Sequence, residues 1–330
     1  MITSTLPTLS PHITIIIPAY NEEATIVGVI EDFFEHCPEA DIVVVDNNST
    51  DRTYDLAKET YQRLHCKGYL LQEPRQGKGM AVRKAFSEIN SDIYVMVDAD
   101  LTYPAADLHQ LLQPVLEGKA DMVCGNRHSD GIYSQENKRP MHDFGNKLMR
   151  NMINFLFHGQ LQDILTGYRV FNARFVKNNP ILSHGFEIET EISIHALDKG
   201  YRIVELPIAY QDRPEGSESK LNTVKDGIKV IKTVLSVFIN YRPMLFFSIC
   251  GLFFGGLGLI FGSIPVVEFI HTSYITHLPL TILSSGLLIL SMLSFVSAVI
   301  LNGLMVAQRY NHSLALLHWD ELHPLYNSKK

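Results

Sequence analysis

The sequence has few cysteines and few basic residues. Its four cysteines stand at positions 37, 66, 124 and 250, with no CxxC pair and no regular spacing. This pattern predicts neither a zinc site nor a disulfide framework, and it favours reduced, buried thiols. The 28 Lys and Arg residues are outnumbered by 35 Asp and Glu, so the formal net charge is −7. No nucleic-acid partner is expected, because binding many phosphates needs a concentrated basic surface.

Two nucleotide-binding signatures are also missing. No GxGxxG follows the first predicted strand, which excludes a dinucleotide-binding dehydrogenase. Lys78 lies in Gln76-Gly77-Lys78-Gly79 but lacks the upstream glycine and the following Ser or Thr of a P-loop. The first twelve residues have neither a basic start nor a long apolar run, and we expect no signal peptide.

Charge is nearly absent from residues 243–308, where Glu268 is the single Asp, Glu, Lys or Arg. Residues 244–270 and 280–306 are each long enough for a helix that crosses a membrane, which needs about 20 apolar residues. The connector 271–279 contains no Lys or Arg, whereas the flanks carry Lys225, Lys229, Lys232, Arg242 and Arg309. The positive-inside rule therefore places both flanks and the N-terminal domain in the cytoplasm, with the protein in the inner (plasma) membrane.

Residues 223–242 have an amphipathic pattern, in which Val224, Ile228, Ile231 and Leu235 recur at helical spacing while the lysines lie off that stripe. We interpret this segment as an interfacial helix in the headgroup layer, with a solvated surface helix as the alternative. The predicted organisation is a globular domain at 1–222, the interfacial helix at 223–242, two transmembrane helices within 243–309 and a cytoplasmic tail at 310–330.

Small residues line one face of the first predicted crossing. Gly251, Gly255, Gly258 and Gly262 recur at intervals of four, three and four residues. Such a stripe lets two helix backbones approach closely. Two interpretations are open: the two crossings pack against each other, or the stripe joins subunits of a homo-oligomer.

The N-terminal domain alternates short β-branched runs with helical patterns. The predicted strands are residues 13–17, 41–45, 69–72, 93–97 and 121–124. Strands that form almost continuous apolar runs between helices indicate a mostly parallel sheet covered on both faces. The fold class is therefore α/β with a Rossmann-like sheet.

Polar segments follow three of these strands: Pro18 to Glu22, Asp46 to Asp51 and Asp98 to Asp100. Ligands of open α/β sheets bind beyond the carboxyl ends of the strands, so we expect the three segments to meet in one crevice. Two carboxylates at i and i+2, where a strand leaves the sheet, can turn toward one divalent cation. Asp98 and Asp100 are thus predicted to bind Mg²⁺ or Mn²⁺, with substrate phosphates completing the site.

Five motifs resemble, in order, those of the family 2 inverting glycosyltransferases with a GT-A fold: IIIPAYNEE, VVVDNNSTDRT, QGKGMAVRKA, MVDADLTYP and TGYRVFNARF. The later GFEIETEI and DRPEGSESKLN, with the two C-terminal crossings, narrow the resemblance to polyprenyl-phosphate glycosyltransferases. That group contains the dolichol-phosphate mannose synthases and the bacterial GtrB and ArnC types. The resemblance implies a nucleotide-sugar donor and a polyprenyl (undecaprenyl or dolichyl) phosphate acceptor. A processive polysaccharide synthase would need QxxRW, but the only tryptophan, Trp319, lies beyond the last crossing.

The resemblance also implies a set of donor contacts. They are Pro18, Tyr20, Asn21, Glu22, Asp46, Gln76, Gly77, Lys78 and Asp98. Lys78 suits a diphosphate and glycines permit close backbone approach, although Gly77 and Gly79 would equally suit a simple turn before a helix near Met80. Asp100 would bind the metal directly, and Asp98 would face the ribose or bind the metal through water.

A phosphate acceptor would explain why no general base is required. A sugar hydroxyl must lose a proton on attack, whereas a phosphate monoester, with a second pKa of about 6, is already largely ionised. It needs positioning and cations, and Arg is favoured for bidentate phosphate contacts. The candidates are Arg127, Arg139, Arg169, Arg213 and Lys220, with Ser217 in the same segment as the last two; an ordinary surface charge is the alternative for each cation.

Glu189 lies in GFEIETEI at the start of a predicted helix, and the resemblance implies a role for it on the acceptor side. The alternative is a structural role, in which Glu187 and Glu191 cap or pair locally while Glu189 points inward. UDP-glucose or UDP-N-acetylglucosamine is the expected donor, because the two crossings resemble the GtrB and ArnC types. GDP-mannose is the alternative donor, and a membrane-anchored enzyme with a non-lipid acceptor is a further alternative.

Overall fold

The computed structural model describes residues 11–128, 140–185, 187–211 and 236–323, and for residues 140–144 the backbone alone. The chain divides into two compact units. The first comprises Met1–Leu221 together with Ala315–Lys330, and the second comprises Asn222–Leu314. Of the predicted interfacial helix, residues 223–235 lie outside the described residues, and residues 236–241 are helical.

The first unit is built on a seven-stranded sheet. Its strands are β1 (Ile13–Ala19), β2 (Asp41–Asp46), β3 (Gly68–Gln72), β4 (Ile93–Met96), β5 (Met122–Asn126), β6 (Arg169–Asn172) and β7 (Ile203–Pro207). Its helices are α1 (Ile26–His36), α2 (Thr53–Leu64), α3 (Lys78–Glu88), α4 (Leu108–Leu116), α5 (Pro140–Phe157), α6 (Ala173–Lys177) and α7 (Ile188–Asp198), with a 3-10 turn at Ala105–Asp107.

The strand order is β3-β2-β1-β4-β6-β5-β7. Strand β6 runs antiparallel to both of its neighbours, and the other pairs are parallel. The predicted α/β class with a mostly parallel sheet is confirmed, and all five predicted strands are present. Strands β6 and β7 were not predicted, because neither is a purely apolar run: β6 begins with Arg169, and β7 contains Glu205.

The sheet is buried on both faces, as the apolar runs predicted. Ile15 and Ile17 of β1 pack in one hydrophobic cluster with α1 and α4, whereas Ile16 between them packs in a second cluster with α3 and α7. Successive side chains of a strand point to opposite faces, so each face receives its own helical layer. With both faces covered, the carboxyl edge of the parallel strands is left to carry the polar segments.

The second unit contains α8 (Pro243–Thr272) and most of α9 (Leu278–Leu322), which are both long and apolar enough to cross a membrane. The glycine stripe of α8 faces α9. A Cβ at Gly251 would meet the Phe295 ring at 2.9 Å, and one at Gly258 would meet Leu288 at 3.0 Å. The Ser291 hydroxyl donates to the Gly251 carbonyl oxygen at 2.7 Å. The stripe therefore packs the two helices against each other, which is the first of the two interpretations above.

Of the tail predicted for 310–330, residues 310–323 are described, and most of them are helical. Helix α9 continues to Leu322, and residues from Ala315 onward belong to the first unit. Leu316 and Trp319 pack against the cluster that holds α3 and α7, and Arg174 of α6 forms a two-bond ion pair with Asp320 at 2.9 and 3.0 Å. Apolar contacts and a paired charge thus attach the last turns of α9 to the sheet domain.

We expect Asp320→Asn to lower the free energy of unfolding by about 2 kcal/mol, since a hydrogen bond to a charged group contributes roughly 1.5–3 kcal/mol. For a domain of this size that corresponds to a fall of about 4–8 °C in the melting temperature, measured by thermal unfolding in detergent. The exchanged pair Arg174→Asp with Asp320→Arg should recover part of the loss. Single variants as stable as the wild type would show that the ion pair does not hold this segment in place.

Candidate active site

The register of the parallel strands brings the predicted polar segments to one edge of the sheet. Ala19 lies opposite Asp46, Asp46 lies opposite Gln72, and Ile16 lies opposite Met96. Strands β1, β2, β3 and β4 therefore end side by side and pointing the same way. The segments that follow them begin as neighbours, which is the expected convergence.

The segments after β1 and β2 are joined by hydrogen bonds. The Asn21 amide donates to Ser49 Oγ at 3.1 Å, and the Thr50 amide donates to Asn21 Oδ1 at 2.8 Å. The Glu22 amide donates to Thr53 Oγ1 at 2.8 Å. Asn21 has a φ of 52°, a left-handed conformation that Asn tolerates better than most residues. Two of the predicted donor contacts, Asn21 and Glu22, are thus held in place by the segment after β2; Pro18 and Tyr20 beside them are partly exposed.

Asn47 organises the loop before α3, a role that the sequence did not reveal. Its amide nitrogen donates to the carbonyl oxygens of Glu73 at 3.1 Å and Arg75 at 2.8 Å. Its Oδ1 accepts from the Gly77 amide at 2.6 Å. The neighbouring Asp46 is buried, and its carboxylate accepts from the Ser49 amide at 3.4 Å. One indication of this role was present in the sequence, which is that Asn47 belongs to the polar segment following β2.

Gln76, another predicted donor contact, is exposed in the loop that Asn47 organises.

Gly77 and Gly79 are required by the protein's own packing. A Cβ at Gly77 would overlap the His184 carbonyl, and one at Gly79 would overlap the Ser183 carbonyl. Gly77 also has a φ of 130°, where a side chain is strained. The main chain of residues 183–184, which lead into α7, makes this close approach, and the donor contact expected of Gly77 stays a prediction. This contact brings the start of α3 beside the start of α7.

Lys78, the first residue of α3, lies between two carboxylates. Its ammonium donates to Asp98 Oδ1, just beyond β4, and to Glu189 Oε1, in the first turn of α7. Burial alone would lower the pKa of Lys78, but the adjacent Asp98 and Glu189 outweigh it and raise that pKa above its ordinary value. Lys78 is therefore a fixed cation, and three residues predicted separately are in direct contact.

Asp100 occupies a tight turn after β4. Its Oδ1 accepts from the Thr102 hydroxyl at 2.6 Å and from the Thr102 amide at 3.2 Å, and its side chain is buried. The intervening Leu101 has a φ of 59°, an uncommon conformation that is costly for a bulky residue and that clusters at functional sites. The chain thus bends sharply between the second carboxylate and its hydrogen-bond donor.

Asp98 and Asp100 suit a hard divalent cation, because both offer carboxylate oxygens as metal ligands. Among the residues that the structure describes, no three His, Cys, Asp or Glu side chains gather closely enough to hold a metal ion. A cation at this position would therefore need further oxygen ligands from a substrate or from water. Phosphate oxygens meet that need, so the pair fits the predicted site.

Gly167, from the TGYR motif, packs against Asp98. A Cβ at Gly167 would overlap the Asp98 carboxylate. The Gly167 amide donates to the Tyr103 hydroxyl at 3.0 Å, and Tyr103 is buried. The loop before β6 thus confines one side of the Asp98 carboxylate, while Lys78 holds another.

Arg127 follows β5 and is paired with Asp163. Its Nε lies 2.7 Å from Oδ2 and its Nη2 lies 2.8 Å from Oδ1 of that carboxylate, in bidentate geometry. Desolvation of Asp163 opposes its ionisation, but the bonds from Arg127 dominate and lower the pKa of Asp163. The Tyr210 ring lies 5.6 Å from the Arg127 guanidinium. The predicted phosphate-binding role of Arg127 stays a prediction, and a phosphate would have to share this cation with Asp163.

The expected phosphate contact of Arg169 is corrected by the structure. Arg169 belongs to β6, inside the sheet, and is 0% exposed. Its guanidinium donates to the carbonyl oxygens of Thr166 at 3.0 Å and Ile164 at 2.5 Å and to Ser193 Oγ at 3.0 Å. These internal acceptors explain its burial and leave it a structural role. The other predicted acceptor-side residues lie outside the described residues: Arg139, Arg213, Ser217 and Lys220.

Comparison with known families agrees with this architecture. Residues 14–179 match the family described as Glycosyl transferase family 2. This match covers β1 to β6 and includes Lys78, Asp98 and Asp100. The protein belongs to glycosyl transferase family 2, and it is a glycosyltransferase.

Named relatives and a solved structure extend the comparison. The chain is 32% identical to glycosyltransferase AglJ of Haloferax volcanii over 72% of this chain and 76% of that protein. It is 29% identical to a dolichyl-phosphate hexose transferase of the same organism, over 71% of this chain and 96% of the relative. The glucosyl-3-phosphoglycerate synthase of Mycobacterium tuberculosis, solved with Mn²⁺, UDP and phosphoglyceric acid, superposes with a TM-score of 0.53 at 20% identity over 70% of this chain and 78% of that one. That likeness establishes the GT-A fold.

Proposed function

We propose that the protein transfers a sugar from a nucleotide sugar to a polyprenyl phosphate at the cytoplasmic face of the inner membrane. The observation that carries this proposal is the cluster of Lys78, Asp98 and Glu189 beside Asp100, at the carboxyl edge of the sheet, in a chain with two helices apolar enough to cross a membrane. A relative named for dolichyl-phosphate hexose transfer supports the lipid acceptor.

For the donor, UDP-glucose or UDP-N-acetylglucosamine leads and GDP-mannose is the alternative. A structural relative solved with UDP is compatible with the uridine donor. The proposed donor contacts are the residues at the ends of β1 and β2 and in the glycine loop: Pro18, Tyr20, Asn21, Glu22, Asp46, Gln76, Gly77 and Lys78. In this assignment Lys78 lies toward the diphosphate, where a fixed cation offsets charge on the phosphate oxygens.

Mg²⁺ or Mn²⁺ would be held by Asp100, with Asp98 beside it or acting through water. When bound, a divalent cation screens the negative charge that builds up on the departing diphosphate. A structural relative solved with Mn²⁺ supports this choice of cofactor class. Before the donor binds, the protein's own residues hold both carboxylates, through Thr102 on Asp100 and through Lys78 and Gly167 on Asp98.

The reaction would be a single displacement with inversion. An acceptor phosphate oxygen forms a bond to the anomeric carbon while the bond from that carbon to the donor's β-phosphate oxygen breaks, and the nucleoside diphosphate leaves with the electron pair. From an α-linked donor this gives a β-linked polyprenyl-phosphate sugar. Because the attacking phosphate is already ionised, no side chain has to remove a proton.

The acceptor side of the site would be formed by cations in the segments that follow β5 and β7. Arg127, Arg139, Arg213 and Lys220, with Ser217, are the proposed contacts to the lipid phosphate or to transition-state charge. Residues 213–222 precede the basic, amphipathic segment 223–242. An interfacial position of that segment would bring these cations near a phosphate at the bilayer surface.

Transfer from a panel of radiolabelled UDP- and GDP-sugars tests the proposal. Purified protein with Mn²⁺ or Mg²⁺ would be offered undecaprenyl phosphate, dolichyl phosphate or water-soluble phosphate and sugar acceptors, and the product would be followed by lipid extraction. We expect label in the lipid fraction with a single preferred donor. Label only in soluble products would replace the lipid acceptor with a non-lipid one.

Arg213→Ala and Lys220→Ala are expected to weaken use of the lipid acceptor at least about tenfold, because each removes a charge-assisted contact to phosphate. Donor affinity should stay close to that of the wild type, because neither residue is a proposed donor contact. Donor binding by calorimetry and transfer by lipid extraction are measured on the same preparations. Equal losses in both would assign these residues to the donor.

A further inference from the structure

Among the described residues, two of the three N–H donors of the Lys78 ammonium have an acceptor. An ammonium carries three N–H donors. Two of them donate to Asp98 and Glu189, and within residues 11–128, 140–185, 187–211 and 236–323 no acceptor is recorded for the third. The Lys78 side chain is 10% exposed, so the remaining donor lies in a largely water-excluded place where a phosphate oxygen would be bound strongly.

The two carboxylates that hold Lys78 differ in their surroundings. Glu189 is 6% exposed, and in the described chain Lys78 is the only recorded partner of its carboxylate. Asp98 is 27% exposed and lies at the end of β4, where solvent or a ligand can reach it. An unpaired buried carboxylate is far more costly than one that water can reach. The contact to Glu189 is therefore the one that must persist, and the contact to Asp98 is the one that can be exchanged.

The backbone supports the same division. The glycines on both sides of Lys78 pack on the main chain of residues 183–184, which lead into α7, so the start of α3 and the first turn of α7 form one packed element. Lys78 and Glu189 are carried by this element, whereas Asp98 comes from the turn after β4. A rearrangement of the Asp98 side chain would leave the pair of Lys78 and Glu189 intact.

We infer that Glu189 is a positioning residue, which anchors Lys78 so that its ammonium can exchange Asp98 for a diphosphate oxygen of the donor. This inference rests on the proposed function and gives Glu189 a donor-side role in place of the acceptor-side role that the family resemblance implied. After this exchange the Lys78 ammonium pairs with the phosphate, and the Asp98 carboxylate is released from its ion pair. Without the anchor, Lys78 would be held by Asp98 alone and would follow that side chain, so its ammonium would no longer be fixed where the diphosphate binds.

Binding of UDP and GDP to the full-length protein in EDTA is the test, because it reports the contact to Lys78 without metal or turnover. We expect Glu189→Gln to weaken binding of the nucleotide that the wild type prefers by about tenfold, the lower end of what a hydrogen bond to a charged group contributes. Glu189→Asp, which keeps the charge on a shorter stem, should recover part of it. In transfer assays the donor KM should rise while kcat changes little.

Glu187→Gln is the matched control. Glu187 is exposed at the N-terminus of the same helix, and its replacement removes the same charge from the same helix end. If Glu189 acted only through the negative charge that it places at the helix N-terminus, the two variants would weaken nucleotide binding equally. We expect Glu187→Gln to bind as the wild type does.

A Lys78→Met background separates positioning from direct contact. If Glu189 acts only through Lys78, then adding Glu189→Gln to Lys78→Met will weaken UDP or GDP binding no further. This double variant also leaves no unpaired charge between the two helices, so it stays informative if Glu189→Gln alone unfolds, which thermal unfolding would reveal.

Additive losses in the double variant, or an unchanged affinity of Glu189→Gln, would overturn the inference while wild-type transfer to lipid phosphate leaves the proposed function intact. A wild-type protein that binds neither UDP nor GDP and labels no lipid phosphate would overturn both. The variants therefore test the inference about Glu189, and the wild-type protein tests the proposed function.

Discussion

Asp100→Asn is expected to reduce sugar transfer by about a thousandfold or more while the protein remains folded. The asparagine keeps an oxygen that can accept from the Thr102 hydroxyl and amide, so the turn after β4 survives. It removes the negative charge, and with it the ligand that we propose for the divalent cation. Metal screening of a leaving group is worth several kcal/mol, and each 1.4 kcal/mol or so is tenfold in rate. Asp100→Ala, which also removes the acceptor, should abolish transfer.

The measurement compares initial rates of lipid labelling with Mn²⁺ binding by calorimetry in the presence of UDP or GDP. Asp92→Asn is the control, since Asp92 is an exposed aspartate just before the same strand, at the opposite edge of the sheet. Its rate and Mn²⁺ affinity should stay close to those of the wild type, because Asp92 lies outside the proposed site. Activity of Asp100→Asn within tenfold of wild type, with no loss in EDTA, would remove the metal from the proposal.

Gly167→Ala is expected to lower transfer at least about a hundredfold through a residue that bears no reactive group. The added methyl group would overlap the Asp98 carboxylate, which would have to rotate or withdraw. Because Lys78 already holds the other Asp98 oxygen, that movement disturbs the contact to Lys78 as well. A displacement of about 1 Å at a reacting group costs roughly a hundredfold in rate.

The same preparations would be tested for folding by thermal unfolding and for donor affinity by calorimetry. Gly256→Ala serves as the control for glycine replacement, because a Cβ there meets nothing within 4 Å. It should keep full activity, and alanine is the better helix former. Normal transfer by Gly167→Ala would show that the position of Asp98 is not critical.

Residue type alone was a poor guide to the fate of individual arginines. Arg127 and Arg169 both looked suitable for a phosphate, since a guanidinium can make bidentate phosphate contacts; Arg127 follows the fifth predicted strand and Arg169 lies in TGYRVFNARF. Arg169 is in β6, whose neighbours β4 and β5 cover it on both edges, and its guanidinium is used inside the protein. Arg127 stands beyond the end of β5 and reaches Asp163, which is 36 residues away in sequence. The contacts of Arg169 with Ser193 and of Arg127 with Asp163 could not be predicted without the strand order.

The amino-acid sequence by itself determined the α/β class, five of the strands and the two apolar helices. Parallel strands buried on both faces must be apolar throughout, and a helix in a membrane must be apolar over its whole length. Runs of apolar residues in the sequence therefore predict both kinds of element. The grouping of polar residues at strand ends was also predictable, because parallel strands end at one edge.

Only the tertiary structure decided how the pieces meet. The contact of Lys78 with Glu189 joins residues 111 positions apart, and that of Arg174 with Asp320 joins residues 146 apart. The antiparallel insertion of β6 places Gly167 against Asp98, and the packing of residues 183–184 requires the glycines beside Lys78. Periodicity records only whether a side chain is buried. Which partner it meets depends on strand order and helix packing, and these are set by the free energy of the whole core.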